Sequence, residues 1–265
     1  MQDNSRALQS QFSRPISSNR ISNRIVTQDP DRGVIGLENR TGKKGKRIAL
    51  VIGNAKYYTP KPKDSYPEDC EFLKELQNPV NDANYMAQTL EKFGFEVLLY
   101  KDVNQEYMKA AIRKFGRKSK NADTALFFYA GHAVQGSSRN YLLPVDAVLC
   151  GEVDFAEHGV GLNYVMRVLD KANTSTNVIM LDACRTNPFG DYRGNQRGFF
   201  SSGGGVAGLA PVTSRGTVIV YAAEAGEGAS DNPVGDNGLF TAGLKYAFAN
   251  NQDLSLDGVL TTASR

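Results

Sequence analysis

Cysteine and histidine are scarce in this 265-residue chain: Cys70, Cys150 and Cys184 of the first, His132 and His158 of the second. So odd and sparse a cysteine set makes no disulfide framework, and without a CxxC pair it makes no zinc site of the usual spacing. Cys70 and Cys150 therefore read as structural thiols. His158, in Glu157-His158-Gly159, has no partner at metal-ligand spacing and reads as a surface loop residue, so no metal site is expected. Long apolar runs are missing too; none approaches the roughly 20 residues of a membrane span. The opening Met1-Gln2-Asp3-Asn4-Ser5 lacks the basic-then-apolar layout of a secretory signal. These absences leave a soluble, cytoplasmic protein as the expectation. No phosphate loop is present: Gly203-Gly204-Gly205 lacks a following Lys-Ser/Thr, and Gly53-Asn54-Ala55-Lys56 only weakly imitates one.

What is present is ordinary for a globular enzyme, with 41% hydrophobic and 22% charged residues in a chain long enough for one sizeable α/β domain and an extension. The net charge of +3 hides an asymmetry: residues 1–47 carry +6, leaving −3 for the rest. The arginines of this basic stretch are spread singly through Ser, Asn and Gln without interleaved aromatics, so nucleic acid is not an expected partner.

Residues 1–45 are polar and aperiodic and read as a flexible N-terminal segment. From Arg47 onward strands and helices alternate. Ile48-Ala49-Leu50-Val51-Ile52, closed by Gly53-Asn54, has the continuous apolar run of a buried parallel strand. Asn78 and Pro79 open a predicted helix whose apolar face is Ala83, Met86, Ala87 and Leu90, and Gly94 stops it. Further strands are predicted at Glu96–Tyr100, Thr124–Tyr129, Asn177–Leu181 and Thr217–Tyr221, and further helices from Asn104, over Leu162–Ala172 and over Gly238–Ala249. Residues 185–215, rich in Gly, Ser and Arg, read as a long loop. Such an order implies a mostly parallel sheet with helices on both faces. Ligands of such sheets sit beyond the carboxyl ends of the strands. His132, Cys184 and Glu224 each follow a predicted strand end, which gathers them on one edge.

A cysteine attacks a carbonyl as its thiolate, and an adjacent imidazole forms that thiolate and then protonates the leaving amine. His132 and Cys184 are the available pair. The backbone N–H groups of Ala133 and Cys184 are candidate oxyanion donors, a role worth about 3 kcal/mol each.

Ala49-Leu50-Val51-Ile52-Gly53-Asn54, Phe128-Tyr129-Ala130-Gly131-His132 and Leu181-Asp182-Ala183-Cys184-Arg185 together resemble the caspase-like cysteine peptidases, in particular the prokaryotic caspase homologues and metacaspases. Asn81-Asp82, Leu143-Pro144-Val145-Asp146 and Asn237-Gly238-Leu239-Phe240 extend the likeness, which runs from about residue 47 to 249. The resemblance implies a caspase-like three-layer sandwich. It assigns 46–265 to a peptidase domain, with a p20-like part over about 46–190 and a p10-like part over about 216–265, and makes 1–45 a candidate propeptide.

Caspases proper carry Gln-Ala-Cys-Arg-Gly, whereas this chain has Asp182-Ala183-Cys184-Arg185-Thr186. The acid two residues before the cysteine is similar to the metacaspase pattern, in which it lines the pocket for the residue before the scissile bond. Asp82 matches a second pocket acid, and Glu224 falls where a substrate-lining segment begins. Two carboxylates favour a guanidinium or ammonium, so cleavage after Arg and Lys is expected, and not after Asp. The plainer readings are that Asp182 bonds loop amides and that Asp82 answers a helix dipole. Ala133 stands where many relatives have Gly, which still leaves the N–H.

Relatives of this kind are often zymogens that cut themselves. Arg193, Arg197 and Arg215 in or beside the long loop and Arg20, Arg24 and Arg40 in the N-terminal segment fit as processing sites, and the final Arg265 is expected to mark either a further cut or a boundary inside a longer protein. Some metacaspases use calcium held by clustered aspartates; Asp191 matches one such ligand without a full set, so no cofactor is expected and calcium stays an alternative. The expected partners are protein or peptide substrates with a basic residue before the scissile bond, with a regulatory protein partner left open. The competing readings are a catalytically silent caspase-like scaffold and an α/β hydrolase or nucleotide-binding domain of other chemistry.

Overall fold

The computed structural model describes residues 45–61, 64–68, 70–136, 139–183, 216–222 and 235–250. Two units divide the chain, Met1–Val34 and Ile35–Arg265, and every described residue lies in the second. The predicted N-terminal segment, apart from Gly45, and the predicted loop up to Arg215 lie outside the described residues.

Five parallel strands form the main sheet in the order β2-β1-β3-β7-β8: β1 Arg47–Gly53, β2 Glu96–Lys101, β3 Thr124–Ala130, β7 Thr176–Asp182 and β8 Thr217–Tyr221. The side chains of β1 and β3 are buried along their whole length because both faces of these strands are covered. Successive residues of a strand point to opposite faces, which divides the core in two. Ile48, Leu50, Ile52, Phe127, Tyr129 and Ile179 pack under α2 (Gln105–Lys118) and α4 (Leu162–Ala172) through Met108, Ile112, Phe115, Val165 and Leu169. Ala49, Val51, Leu126, Phe128, Val178 and Met180 pack under α1 (Pro79–Lys92) and α5 (Leu239–Asn250) through Ala83, Met86, Leu90, Leu244 and Ala247. This is the three-layer α/β sandwich expected.

Gly53 is where α1 meets the sheet. A Cβ there would lie 2.3 Å from Pro79 O and 2.7 Å from Ala83 Cβ, so only glycine lets the helix approach this closely. Asn54 then ties three segments together: its Nδ2 donates to Leu143 O at 3.2 Å, and its Oδ1 accepts from Val103 N at 3.0 Å. Asn104 caps α2 through its side chain, which accepts from Tyr107 N. Asn78 does not cap α1 in this way. Its ψ of −22° is already helical, not the extended geometry an N-cap side chain needs, and its carbonyl instead accepts from Asp82 N.

Between β3 and α4 lies structure that the alternation of apolar runs did not indicate. β4 (Ala133–Gln135), β5 (Asn140–Leu142) and β6 (Val160–Gly161) form a small antiparallel sheet, with the five-residue helix α3 (Asp154–His158) before β6. Tyr57, Val134, Leu143, Ala147, Leu149 and Phe155 fill a third apolar cluster beside it. Among the described residues no helix is long and apolar enough to cross a membrane.

Candidate active site

β3 and β7 are neighbours in register, with Ala130 opposite Asp182, and Gly131 N donates to Asp182 O at 3.2 Å. His132 is two residues beyond Ala130, and Cys184 is two residues beyond Asp182 in sequence. The 52-position spacing of the candidate pair therefore equals the offset of the strand register. Cys184 itself, one peptide bond past Ala183, lies outside the described residues, as do Glu224, Asp191, Arg193, Arg197, Arg215 and Arg265.

Gly131 makes the turn from β3 to His132. Its φ of 149° is one that L side chains rarely adopt, and a Cβ would sit 2.7 Å from Tyr57 Oη and 2.8 Å from Tyr129 Oη. Those two hydroxyls hold the histidine backbone. His132 N–H donates to Tyr57 Oη at 2.7 Å, and Tyr129 Oη lies 2.8 Å from both His132 O and Leu143 O. Both phenols are fully buried, and burial pushes each well above the ordinary tyrosine range, so they remain neutral donors and acceptors. The Tyr57 ring also packs against the imidazole, with centroids 4.6 Å apart.

His132 Nε2 lies 2.8 Å from Lys74 O. A carbonyl only accepts, so Nε2 carries the proton of this bond and the neutral ring has its lone pair on Nδ1. That tautomer is the one a base needs if Nδ1 faces the thiol. Lys74 lies on irregular backbone, and Leu73 and Leu76 of the same segment pack on the third apolar cluster.

Leu143 N donates to His132 O and Gly136 N to Arg139 O, so the hydrogen-bonded pairs of the β4–β5 ladder fall on the even-numbered residues of β4. Ala133, opposite Leu142, occupies a non-hydrogen-bonded pair, and its N–H is directed away from β5.

Asp82 and Asp182, drawn from α1 and from the end of β7, are brought together and are 2% and 8% exposed. Asn237 Nδ2 donates to Asp82 Oδ1 at 2.9 Å, Gly238 N donates to the same carboxylate at 3.1 Å, and Thr241 Oγ1 donates to Asp182 Oδ2 at 2.8 Å. These neutral donors fix the direction of both carboxylates.

Two expectations are corrected. Cys70 and Cys150 are not separate thiols: they form a disulfide across 80 positions. The antiparallel bridge Glu71–Leu149 sets the two segments side by side, a long-range contact that local cysteine spacing does not encode. His158 is not a loop residue; it ends α3, half-buried, with a ligand atom within 4.8 Å of one on Asp154 and one on Glu157. Residues four apart share a helix face, which a reading of His158 as loop could not anticipate.

Tyr57, Lys74 and Thr241 bond to His132 or Asp182 and were not singled out in the sequence. Lys74 acts through its carbonyl, which every residue possesses, so nothing in the sequence marks it.

The profile of the caspase domain matches residues 46–265. The chain belongs to the caspase-domain family. A segment of 139 residues, 52% of the chain, is 25% identical to the human mucosa-associated lymphoid tissue lymphoma translocation protein 1, and its mouse homologue is 24% identical over the same length. The match spans 15% of the length of those relatives. Among solved structures, protein GSU0716 from Geobacter sulfurreducens superposes with a TM-score of 0.56 at 17% identity, covering 82% of this chain and 88% of that one. That likeness concerns the fold.

Proposed function

We propose that the chain is a cysteine endopeptidase that cleaves proteins after Arg and Lys, with Cys184 as nucleophile and His132 as general base. The supporting observation is the register of β3 and β7, which sends the segments bearing His132 and Cys184 off adjacent strands at equivalent positions. Adjacent strands are about 4.8 Å apart, within reach of a thiol–imidazole contact.

In this reading Nδ1 of His132 takes the thiol proton, and the thiolate attacks the carbonyl of the scissile bond. The N–H groups of Ala133 and Cys184 receive the oxyanion. The imidazolium, steadied by Lys74 O, then passes its proton to the leaving amine, and water hydrolyses the acyl-enzyme. Asp82 and Asp182 attract the basic side chain before the cut, with Glu224 as a further pocket residue. No cofactor enters this chemistry, and turnover unchanged by a calcium chelator is expected. Arg193, Arg197 and Arg215 are the proposed sites of self-cleavage.

Profiling with a peptide library that varies Arg, Lys and Asp before the scissile bond tests the reading. Turnover of Arg and Lys peptides, abolished in Cys184→Ala and in His132→Ala, is the expected result. Cleavage after Asp, or activity that survives Cys184→Ala, overturns it. Intact-mass comparison of the wild type with Cys184→Ala tests processing, since identical fragments in both exclude self-cleavage.

A further inference from the structure

We infer that the Cys70–Cys150 disulfide is a redox-operated clamp on the carbonyl that orients His132, so that opening it detunes the imidazole. The inference rests on His132 being the base of the proposed reaction.

Lys74 O meets His132 Nε2 at 2.8 Å, and Lys74 is four residues beyond Cys70. The Lys74 side chain is exposed and the backbone from Phe72 to Leu76 is neither helix nor strand, so the carbonyl is placed by what fastens the segment at its ends. At the far end Leu76 N donates to Ala55 O at 3.0 Å, and Leu73 and Leu76 contribute partly buried packing. At the near end Glu71 and Leu149 exchange hydrogen bonds of 2.6 and 3.4 Å, and next to them stands the disulfide, the only covalent fastening among the described residues of this segment.

The two halves of the clamp are unequal. Leu149 is fully buried, and Cys150 N–H donates to Asp154 Oδ2 at 2.6 Å, so the Cys150 side is anchored to the body of the domain. The Cys70 side belongs to the irregular segment, and it is the side that moves when the bond opens. Both cysteines are half-buried, so neither residue is sealed in the core.

The chemistry is an ordinary exchange. A thiolate of the dithiol attacks one sulfur of the pair and forms a mixed disulfide, and the second thiol of the reductant closes on it. Cys70 and Cys150 gain two electrons and two protons and become thiols, while the reductant becomes a cyclic disulfide. A disulfide oxidant such as oxidised glutathione runs the exchange backwards. With the Glu71–Leu149 bridge and the leucine packing as the remaining fastenings, opening is expected to loosen the carbonyl without dissolving the site. Misplacement by a fraction of an ångström is expected to lower kcat/KM roughly tenfold.

The test reads the imidazole directly. The full chain in a Cys184→Ala background, labelled with ¹⁵N-histidine, neither cleaves itself nor carries a catalytic thiol that answers to reductant. Two histidines give two sets of ring signals, and His158→Gln assigns them. With the disulfide closed, His132 shows the Nε2-protonated tautomer. Dithiothreitol, with opening confirmed by alkylation and mass, is expected to shift or broaden its ring signals, and Cys70→Ser/Cys150→Ser is expected to match the reduced spectrum and ignore the reagent. Unchanged His132 signals after confirmed opening overturn the inference, whether or not the chain cleaves peptides. Should the double variant unfold, titration of the disulfide-intact chain decides alone. In the active chain, equal kcat/KM for the double variant and the clamped wild type also overturns it; where neither turns over an Arg peptide, the functional reading fails and the spectra still judge the clamp.

Discussion

Asp82 and Asp182 each place a carboxylate oxygen 3.2 Å from the point where a side chain on residue 238 would begin. One acid stands in the first turn of α1 and the other ends β7, and Gly238 precedes α5. A glycine at 238 leaves the space between the carboxylates clear, while its own N–H and the neighbouring Asn237 and Thr241 aim them. Two carboxyl groups gathered under such low exposure would suit a cationic side chain as ligand in the proposed reading.

Replacing either acid by its isosteric amide, Asp82→Asn or Asp182→Asn, keeps the shape and removes the charge. Each substitution is expected to lower kcat/KM for Arg peptides by about 10- to 100-fold, the worth of a charge-assisted hydrogen bond. Unaltered selectivity for Arg in both variants would remove the pocket assignment.

Gly131→Ala forces a side chain into a backbone region it avoids and against the hydroxyls of Tyr57 and Tyr129. A loss of stability of about 1–3 kcal/mol is expected, together with a fall in peptide turnover. Urea unfolding measures the first; a midpoint equal to wild type contradicts the geometry.

Burial raises the pKa of Tyr57 and Tyr129 in the folded chain, whereas unfolded tyrosines ionise near pH ~10. The stability this proton affinity confers is complete below that pH and declines as pH rises from there toward the folded values. Denaturant midpoints from pH 9 to 11 are expected to drop. Tyr57→Phe, which loses the bond to His132 N, is expected to be less stable at neutral pH but to show a shallower alkaline decline. An equal slope in both proteins would count against the buried phenol.

The Cys70–Cys150 bond closes a long loop that contains β2, α2, β3 and His132. Its removal in Cys70→Ser/Cys150→Ser is expected to cost about 2–5 kcal/mol, mainly by freeing the unfolded chain. Melting curves with and without reductant check this, the wild type moving toward the variant and the variant staying put.

The five strands of the main sheet were legible because each is a short apolar run bounded by turn residues; the expected Asn177–Leu181 strand, for example, extends by one residue at each end. The small sheet was not, since strands of two or three residues are shorter than any periodicity. Asp82 and Asp182 could be named from the sequence, but their shared anchoring to 237–241 depends on α5 packing beside α1 on one face of the sheet. The disulfide and the Lys74 carbonyl were out of reach for a related reason: each is a tertiary meeting of groups whose local sequence carries no pattern.

The pairing of β3 with β7 has a consequence for how far the intervening chain can vary. What aligns the ends of β3 and β7, from which the segments of His132 and Cys184 continue, is the ladder of hydrogen bonds between the strands, and everything between them loops away and returns. Residues could be added or lost around α3 without disturbing that alignment, provided Ala130 still faces Asp182. Slippage of one rung would displace the histidine and cysteine segments by about 3.3 Å, with the number of residues between them unchanged. Distance along the sequence is therefore an incidental measure of this site, and the sheet is its ruler.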